Sequence, residues 1–280
     1  MKVAFSTWCT DDYFEKAGLN KLLSSTTHFH PDVDHYVYDD EATEKVKEKW
    51  PWMWGRWMMA STCLDLSKTY DVVLHLDGDC IITAPLDEII EGDYDVAGTR
   101  NNNDYGKAGM HPGITLGDIP MFGFLNAGLV AATKTEFWED WNNINHEWDT
   151  AKSYGPTGGG ENDSLNIIFH SGKYKSKILD PIGSDISYGI NNAWGNNTNW
   201  DSWSEMYVNN DRIYLDSPKG YPVMIKVLHV AGGTGIAPTM KQNHRENYNM
   251  KPEVLDYIDH ITSHSPDHKS NKHPSKGYGL

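Results

Sequence analysis

Cysteine is scarce in this sequence of 280 residues. Cys9, Cys63 and Cys80 are an odd number of thiols, and their wide spacing leaves no CxxC pair. A secreted disulfide framework uses an even set of cysteines, so the pattern argues against one. We therefore expect three reduced thiols in the core and a cytoplasmic location.

Basic residues are also in short supply, with 24 Lys and Arg against 39 Asp and Glu and a formal net charge of -15. A surface of this sign argues against nucleic-acid partners and anionic membranes, whereas it is compatible with substrates that bind through a metal ion. No signal peptide or membrane span is visible, because Met1 and Lys2 lead directly into a predicted strand. The sequence therefore predicts a soluble protein without an integral membrane segment.

Two common phosphate-binding motifs are missing. Neither GxGxxG nor GxxxxGK[ST] follows the first predicted strand, so a dinucleotide fold and a P-loop are not supported. No internal repeat or linker divides the chain, and the biased composition is confined to its His- and Lys-rich end. We expect one domain over residues 1–263 and a disordered tail over residues 264–280.

What the sequence contains is an alternation of short apolar strands and helices. The predicted strands are Val3–Thr7, His35–Tyr38, the apolar run that begins at Tyr70 and meets Asp77, Asp95–Thr99, Phe124–Ala132 and Val223–Val230, and a second apolar run follows Asp79 at once. Predicted helices include Arg56–Lys68, Thr135–Ala151, Ser164–His170 and Pro252–Ser263, with an earlier one capped by Asp11 or Asp12. Long loops are expected over residues 101–120 and 184–211. This order is typical of an α/β fold with a mostly parallel sheet flanked by helices.

The most informative stretch is the apolar strand that ends at Asp77-Gly78-Asp79. Open sheets bind ligands beyond the carboxyl ends of their strands, so two carboxylates placed there predict a cation site. Gly78 would let a bulky group approach the backbone. The spacing alone is weak evidence, because Asp93 and Asp95 share it without following a comparable apolar strand.

Three further signals accompany this pair. We place Asn126 and His229 at the carboxyl ends of apolar strands, and Glu161 with Asp163 at the start of a helix. Two carboxylates and an imidazole suit Mn²⁺ or Mg²⁺ better than zinc, so Asp77, Asp79 and His229 are the predicted metal ligands. The backbone N–H groups of Gly232 and Gly233 would cradle a pyrophosphate. His75 lies inside an apolar run and is assigned to the core.

Five segments, in the same order, resemble the metal-dependent nucleotide-sugar glycosyltransferases of the GT-A fold. The similarity is greatest to glycosyltransferase family eight, the glycogenin and galactosyltransferase type, and it covers about residues 1–235. The segments are Phe5–Tyr13, Tyr70–Asp79 (similar to "YDKVLYLDAD"), Phe124–Leu129 ("FNAGV"), Glu161–Asn166 ("DQDALN") and Val227–Gly232 ("VLHFAG").

The resemblance implies a nucleotide-binding half over residues 1–85, an acceptor half over residues 86–235 and a helical extension over residues 236–263. It also implies transfer of a sugar from a nucleotide diphosphate, expected to be a UDP-sugar, to a hydroxyl group on a glycan or other acceptor, with retention of configuration. The implied residue roles fall into three sets. Thr7, Asp12 and Tyr13 hold the base; Asp77, Asp79 and His229 bind the metal; and Asn126, Glu161 and Asp163 orient the donor sugar.

The sequence departs from the family pattern at the sugar-binding positions. Glu161 and Asn162 replace the first Asp and the Gln of "DQD", and Gly235 stands about where a basic residue is usual. Two other classes remain as alternatives. A sugar-phosphate nucleotidyltransferase shares the fold but normally begins with a Gly-rich basic loop. A non-catalytic carbohydrate-binding protein would explain the 11 tryptophans but not the metal ligands.

Overall fold

The computed structural model describes residues 1–9, 18–39, 44, 58–100, 125–151, 161–181, 184–188, 190–191, 203–217, 219–229 and 250–263. Its helices are α1 (Leu19–Phe29), α2 (Met58–Ser67), α3 (Asp87–Ile90), α4 (Thr135–Ala151), α5 (Glu161–Phe169) and α6 (Pro252–Thr262). The larger strands are β1 (Val3–Trp8), β2 (Asp34–Tyr38), β3 (Val72–Leu76), β4 (Cys80–Ile82), β5 (Val96–Arg100), β6 (Leu125–Ala132) and β7 (Ser176–Ile178). Shorter strands follow as β8 (Ile186–Ser187), β9 (Ile190–Asn191), β10 (Tyr207–Val208), β11 (Ile213–Asp216), β12 (Pro222–Ile225) and β13 (Val227–His229).

A six-stranded sheet with the order β2-β1-β3-β6-β5-β7 forms the centre of the fold. β1 pairs in parallel with β2 and β3, and β5 pairs in parallel with β7. β6 is the exception, because it runs antiparallel to both β3 and β5. The predicted α/β fold with a mostly parallel central sheet is therefore confirmed.

Both faces of this sheet are covered, as the apolar sequence of β3 predicts. All five residues of β3 are buried. One face carries a core that includes residues of α2, α4 and α5, with Trp138 and Trp141 fully buried in it. The opposite core includes residues of α1, β4 and Tyr188. Burial on both faces is the condition under which a strand carries a continuous apolar run.

The predicted strand Val223–Val230 is wrong as a single element. β12 belongs to a four-stranded sheet with the order β10-β11-β12-β8, whereas β13 pairs with β4 and β9 in a separate three-stranded sheet. Lys226 stands between them. Its backbone N–H donates to Ser187 and its carbonyl accepts from Thr83, so the chain changes its pairing partner at this residue.

Two helix boundaries also differ from the prediction. α5 begins at Glu161 rather than Ser164, so Asn162 lies within the helix. α1 begins at Leu19, after Gly18 with a φ of 77°. The segment in which Asp11 or Asp12 was expected to cap a helix lies outside the described residues. α2, α4 and α6 are confirmed at or within three residues of the predicted positions.

The loop predictions are tested only in part. The segment 101–120 and the tail 264–280 lie outside the described residues. The predicted loop over 184–211 contains β8, β9, β10 and a 3-10 turn at Trp203–Glu205, so it is more ordered than expected. No helix in the described part of the chain is long and apolar enough to cross a membrane.

Candidate functional site

Asp77, Asp79 and His229 meet at the carboxyl end of β3. The Nε2 atom of His229 lies 3.4 Å from Asp77 Oδ2 and 3.2 Å from Asp79 Oδ1. The antiparallel pairing of β4 with β13 brings His229 to the two carboxylates, since it places His229 opposite Cys80, the residue after Asp79. Asp79 and His229 are buried, whereas about 35% of the Asp77 side chain is exposed. Each predicted carboxylate thus contacts His229, whereas the group whose ligand atoms all lie within 4.8 Å of one another consists of Asp79, Cys80 and His229.

The electrostatics of this group show that it favours a positive charge. Burial alone would lower the pKa of His229, but Asp79 and Asp77 outweigh burial and raise that pKa to about 10. Burial likewise opposes ionisation of Asp77, yet hydrogen bonds to His229 and then His75 hold the pKa of this carboxyl well below its usual range. Two carboxylates thus face one imidazole, and a divalent cation bound here would take the place of the His229 proton, because metal ions bind the neutral ring.

Gly128 on β6 provides the space in which these groups meet. A side chain at this position would collide with the ring of His229, and its Cβ would lie 2.8 Å from both Asp77 Oδ2 and Asn126 Oδ1. The carbonyl of Gly128 accepts a hydrogen bond from the backbone N–H of Asp77 at 2.9 Å. A glycine at this point therefore lets β6 pass directly against the carboxylate, imidazole and amide groups.

Asn126 lies beside the same site, but not at the carboxyl end of its strand as predicted. It is the second residue of β6, and it reaches this edge because β6 runs antiparallel to β3. Its Oδ1 accepts a hydrogen bond from Gly128 N at 2.7 Å. The pairing with β5 shifts register here, from Gly98 opposite Val130 to Thr99 opposite Asn126. This irregularity frees the backbone of residues 127–129 from the β5 ladder and brings it to the site.

The first turns of α5 are attached to β6 by two asparagine side chains. Asn162 Oδ1 accepts from Ala127 N at 2.7 Å, and Asn166 Oδ1 accepts from Leu125 N at 2.8 Å. Glu161 is the first residue of the helix and is partly buried. The side chain of Asp163 lies outside the described residues. The asparagines thus set where the amino end of α5 stands relative to Asn126.

His75 is a site residue that sequence analysis missed. Its side chain is buried, as the assignment to the core required, but Nε2 also lies 3.1 Å from Asp77 Oδ1. The signal was present in the sequence, because residues two apart on a strand share a face and Asp77 directly continues β3. An apolar run that contains a histidine two residues before a carboxylate would have indicated this contact.

Cys80 is a further potential ligand that the geometry brings close to Asp79 and His229. Its thiol makes a weak hydrogen bond to Gly128 O at 3.7 Å. Burial, followed by the charges of Asp79 and Asp77, raises the pKa of this thiol well above its ordinary value. A thiol that stays protonated is a poor ligand, so the oxygen and nitrogen donors remain the better set. All three cysteines are free and buried, as predicted.

The remaining predicted donor-binding residues are only partly described. Thr7 is fully buried, and its hydroxyl lies 2.9 Å from Nε2 of His35. Gly78 lies in the turn that the Cys80 N–H closes onto Asp77 O at 3.0 Å. Four predicted residues lie outside the described part of the chain: Asp12, Tyr13, Gly232 and Gly233.

Among solved structures, the fold is similar to galactosyltransferase LgtC in complex with donor and acceptor sugar analogues. The match has a TM-score of 0.53 and 14% identity, and it covers 94% of this chain and 95% of LgtC. The bifunctional glycosyltransferase WbbM in its apo form matches with a TM-score of 0.54 and 14% identity, over 95% of this chain and 50% of WbbM. No protein-family model and no curated protein sequence matches this chain.

The glycosyltransferase GlyE of Streptococcus pneumoniae TIGR4 matches over 64% of this chain and 46% of its own, with 17% identity and a TM-score of 0.42. The chain therefore spans about half the length of WbbM and of GlyE. The likenesses to LgtC and WbbM show that this α/β fold is shared with these two glycosyltransferases. Activity does not follow from fold alone.

Proposed function

We propose that this chain is a metal-dependent glycosyltransferase that moves a sugar from a nucleotide diphosphate donor, a UDP-sugar, to a hydroxyl group of a glycan acceptor. The observation that carries the proposal is the convergence of Asp77, Asp79 and His229 beside Gly128. This site lies beyond the carboxyl end of β3, where open α/β sheets bind their ligands. The fold shared with LgtC and WbbM supports sugar transfer over other uses of such a site.

The proposed metal ligands are Asp79 and His229, with Asp77 as a further ligand or as a contact to the donor ribose. The donor set fits Mn²⁺ or Mg²⁺, because it combines two carboxylates with one imidazole. These residues would hold a divalent cation, and the chemistry it would supply is positive charge that stabilises the leaving diphosphate. Gly128 serves the same end by keeping side-chain atoms out of the space between these ligands.

The sugar-binding part of the site is proposed to lie between β6 and the start of α5. Asn126 is next to the metal ligands, and Glu161 begins the helix that Asn162 attaches to Ala127. We propose that Asn126, Glu161 and Asp163 orient the donor sugar and stabilise positive charge at its reacting carbon. Retention of configuration is proposed from the family resemblance.

The nucleotide would extend from the metal ligands towards β1. β1 is the parallel neighbour of β3 on the side away from β6, so the carboxyl end of β1 lies at the same edge of the sheet. Asp12 and Tyr13, which follow β1 in the sequence, are the proposed contacts to the base, together with Thr7. For Thr7 the contact requires its hydroxyl to leave the hydrogen bond with His35. Gly78, Gly232 and Gly233 are the proposed backbone contacts to the diphosphate.

The test is Mn²⁺-dependent hydrolysis or transfer from a panel of nucleotide sugars, with Asp79→Asn as the site variant. We expect Mn²⁺-dependent release of nucleoside diphosphate from at least one donor. The rate of this release should be about 100-fold or more lower in Asp79→Asn. Asp93→Asn is the matched control, because Asp93 belongs to a second DxD spacing but its side chain is 93% exposed on the surface.

Two results would count against the proposal in different ways. If no nucleotide sugar binds in the presence of Mn²⁺, the transferase function is wrong. If Asp79→Asn keeps full turnover, the chain transfers sugar but the cation assignment is wrong. Formation of a nucleotide sugar from a sugar phosphate and a nucleoside triphosphate would instead identify a nucleotidyltransferase.

A further inference from the structure

One hydrogen bond connects the interior of β3 to the cation site. The imidazole of His75 is 1% exposed, and its Nε2 lies 3.1 Å from Oδ1 of Asp77. A carboxylate oxygen accepts hydrogen bonds, so the ring N–H that faces Asp77 Oδ1 is the one on Nε2 of His75.

The other nitrogen of His75 is left in an unusual position. Nδ1 is buried and has no hydrogen-bond partner among the described residues, and the same holds for Oγ of Ser6. Ser6 is the register partner of His75 in the parallel pairing of β1 with β3, so the two groups lie on neighbouring strands. An apolar residue at this position would leave no buried ring nitrogen without a partner, so a histidine here needs a compensating role.

The geometry of Asp77 indicates that role. Its Oδ1 lies against His75, and its Oδ2 lies against His229 at 3.4 Å. Because the carboxylate is about 35% exposed, solvent would otherwise allow it to rotate about its last bond. The buried ring of His75 cannot follow such a rotation. The hydrogen bond therefore fixes which oxygen of Asp77 faces His229.

We propose that His75 is a positioning residue that holds Asp77 Oδ1, so that Oδ2 alone is presented to the divalent cation. The inference rests on the proposed function, since it assigns a partner to one of the proposed metal ligands. Hydrogen bonds from outer groups commonly orient metal-binding side chains, and their loss typically weakens metal affinity by about 10- to 100-fold.

The experiment measures Mn²⁺ binding directly, by calorimetry or electron paramagnetic resonance, in the full chain without nucleotide. His75→Phe keeps an aromatic ring in the core but removes the N–H donor, and His75→Gln retains a donor. We expect His75→Phe to bind Mn²⁺ about 10- to 100-fold more weakly and His75→Gln to recover a large part of the loss. Turnover at saturating Mn²⁺ should change much less than the Mn²⁺ concentration needed for half-maximal rate.

Each outcome has a separate meaning. If wild type binds Mn²⁺ and a folded His75→Phe binds it equally well, the positioning role is wrong and the proposed function is untouched. If wild type itself does not bind Mn²⁺, the metal site is wrong, and with it the inference. Ser6→Ala provides the matched structural control: it alters the other unsatisfied buried group of the same region without touching Asp77, and it should leave Mn²⁺ affinity within about twofold. A tenfold loss in Ser6→Ala would mean that general disturbance of the β1–β3 pairing, rather than the His75 hydrogen bond, sets the affinity.

Discussion

Asn162 Oδ1 accepts a hydrogen bond from the backbone N–H of Ala127 at 2.7 Å. This contact joins the first turn of α5 to the part of β6 that has left the β5 ladder. The resemblance to the GT-A family placed this position in contact with the donor sugar. In the structure its side-chain oxygen instead satisfies a strand N–H, which makes it a support for Glu161 and Asn126.

Replacement of Asn162 should therefore affect both stability and the sugar-binding geometry. Asn162→Ala leaves the Ala127 N–H without its acceptor, and we expect a loss of about 1 to 2 kcal/mol in the free energy of unfolding. Asn162→Asp keeps an acceptor at the same place and should retain more of the stability. Asn20→Ala changes an exposed helix residue and should have little effect. Urea unfolding of the four proteins checks the order, and equal stability of Asn162→Ala and wild type would contradict it.

Gly128→Ala should damage the site directly. The new Cβ would collide with the ring of His229 and lie 2.8 Å from Asp77 Oδ2, so these groups must move apart. We expect loss of Mn²⁺ binding and a decrease in stability of about 1 to 3 kcal/mol. Both quantities can be measured on one sample, by calorimetric Mn²⁺ titration and by thermal unfolding.

Gly220→Ala is the control that distinguishes a loss of stability from a loss of Mn²⁺ binding when alanine replaces glycine. Gly220 has a φ of 79° and open space around it, so a methyl group there meets no neighbour but forces a left-handed backbone on alanine. We expect a loss of about 1 kcal/mol with unchanged Mn²⁺ affinity. If Gly128→Ala also kept normal Mn²⁺ affinity, the close approach of β6 would not matter for the cation site.

The position of Asp77 at a strand end is predicted by local signals, because an apolar run long enough to be buried on both faces stops there. The approach of His229 has no such local signal, since it depends on the pairing of β13 with β4. The position of Asn126 could not be derived in the same way. Its place at the site depends on β6 running antiparallel to β3, which is decided by long-range pairing rather than by the residues of β6.

The division of the predicted strand Val223–Val230 at Lys226 is indicated in the sequence by the lysine itself, which the apolar character of the neighbouring residues conceals. A lysine within an apolar run was treated as part of one strand, but its charge needs a partner once it is buried. In the structure Lys226 forms an ion pair with Glu88 and donates to Pro85 O at 2.8 Å. The residue that makes these contacts is also the one at which the chain passes from the sheet of β12 to the sheet of β13.

Lys226→Met should therefore destabilise the fold more than the loss of a surface ion pair. The substitution removes the donor to Pro85 O and leaves Glu88, whose side chain is 34% exposed, without its cation. We expect the free energy of unfolding to fall by about 2 kcal/mol. Lys175→Met is the matched control, because Lys175 pairs with the exposed Asp93, and we expect no measurable change there. Similar losses in the free energy of unfolding of both variants would show that burial of the Lys226–Glu88 ion pair does not increase its contribution to stability.

His35 should make the stability depend on pH in a defined direction. Burial, with a smaller contribution from the charge of His75, lowers the pKa of His35 to about 3. Its two ring nitrogens lie 2.9 Å from Thr7 Oγ1 and 3.2 Å from Thr26 Oγ1. Thr26 Oγ1 itself donates to Leu23 O, so it accepts from Nδ1–H of a neutral ring, and Nε2 accepts from Thr7.

The unfolded chain binds a proton at His35 near pH 6.5, whereas the folded chain does not until about pH 3. The folded state binds fewer protons over this range, so the stability contributed by neutral His35 is complete above pH 6.5 and is lost as the pH falls towards 3. Relative to His35→Gln, wild type should lose on the order of 3 kcal/mol between pH 7 and pH 4. Other titrations are common to both proteins and cancel in the difference. Chemical unfolding of wild type and His35→Gln between pH 7 and pH 4 measures the difference in their free energies of unfolding. If that difference does not depend on pH, His35 titrates normally in the folded protein.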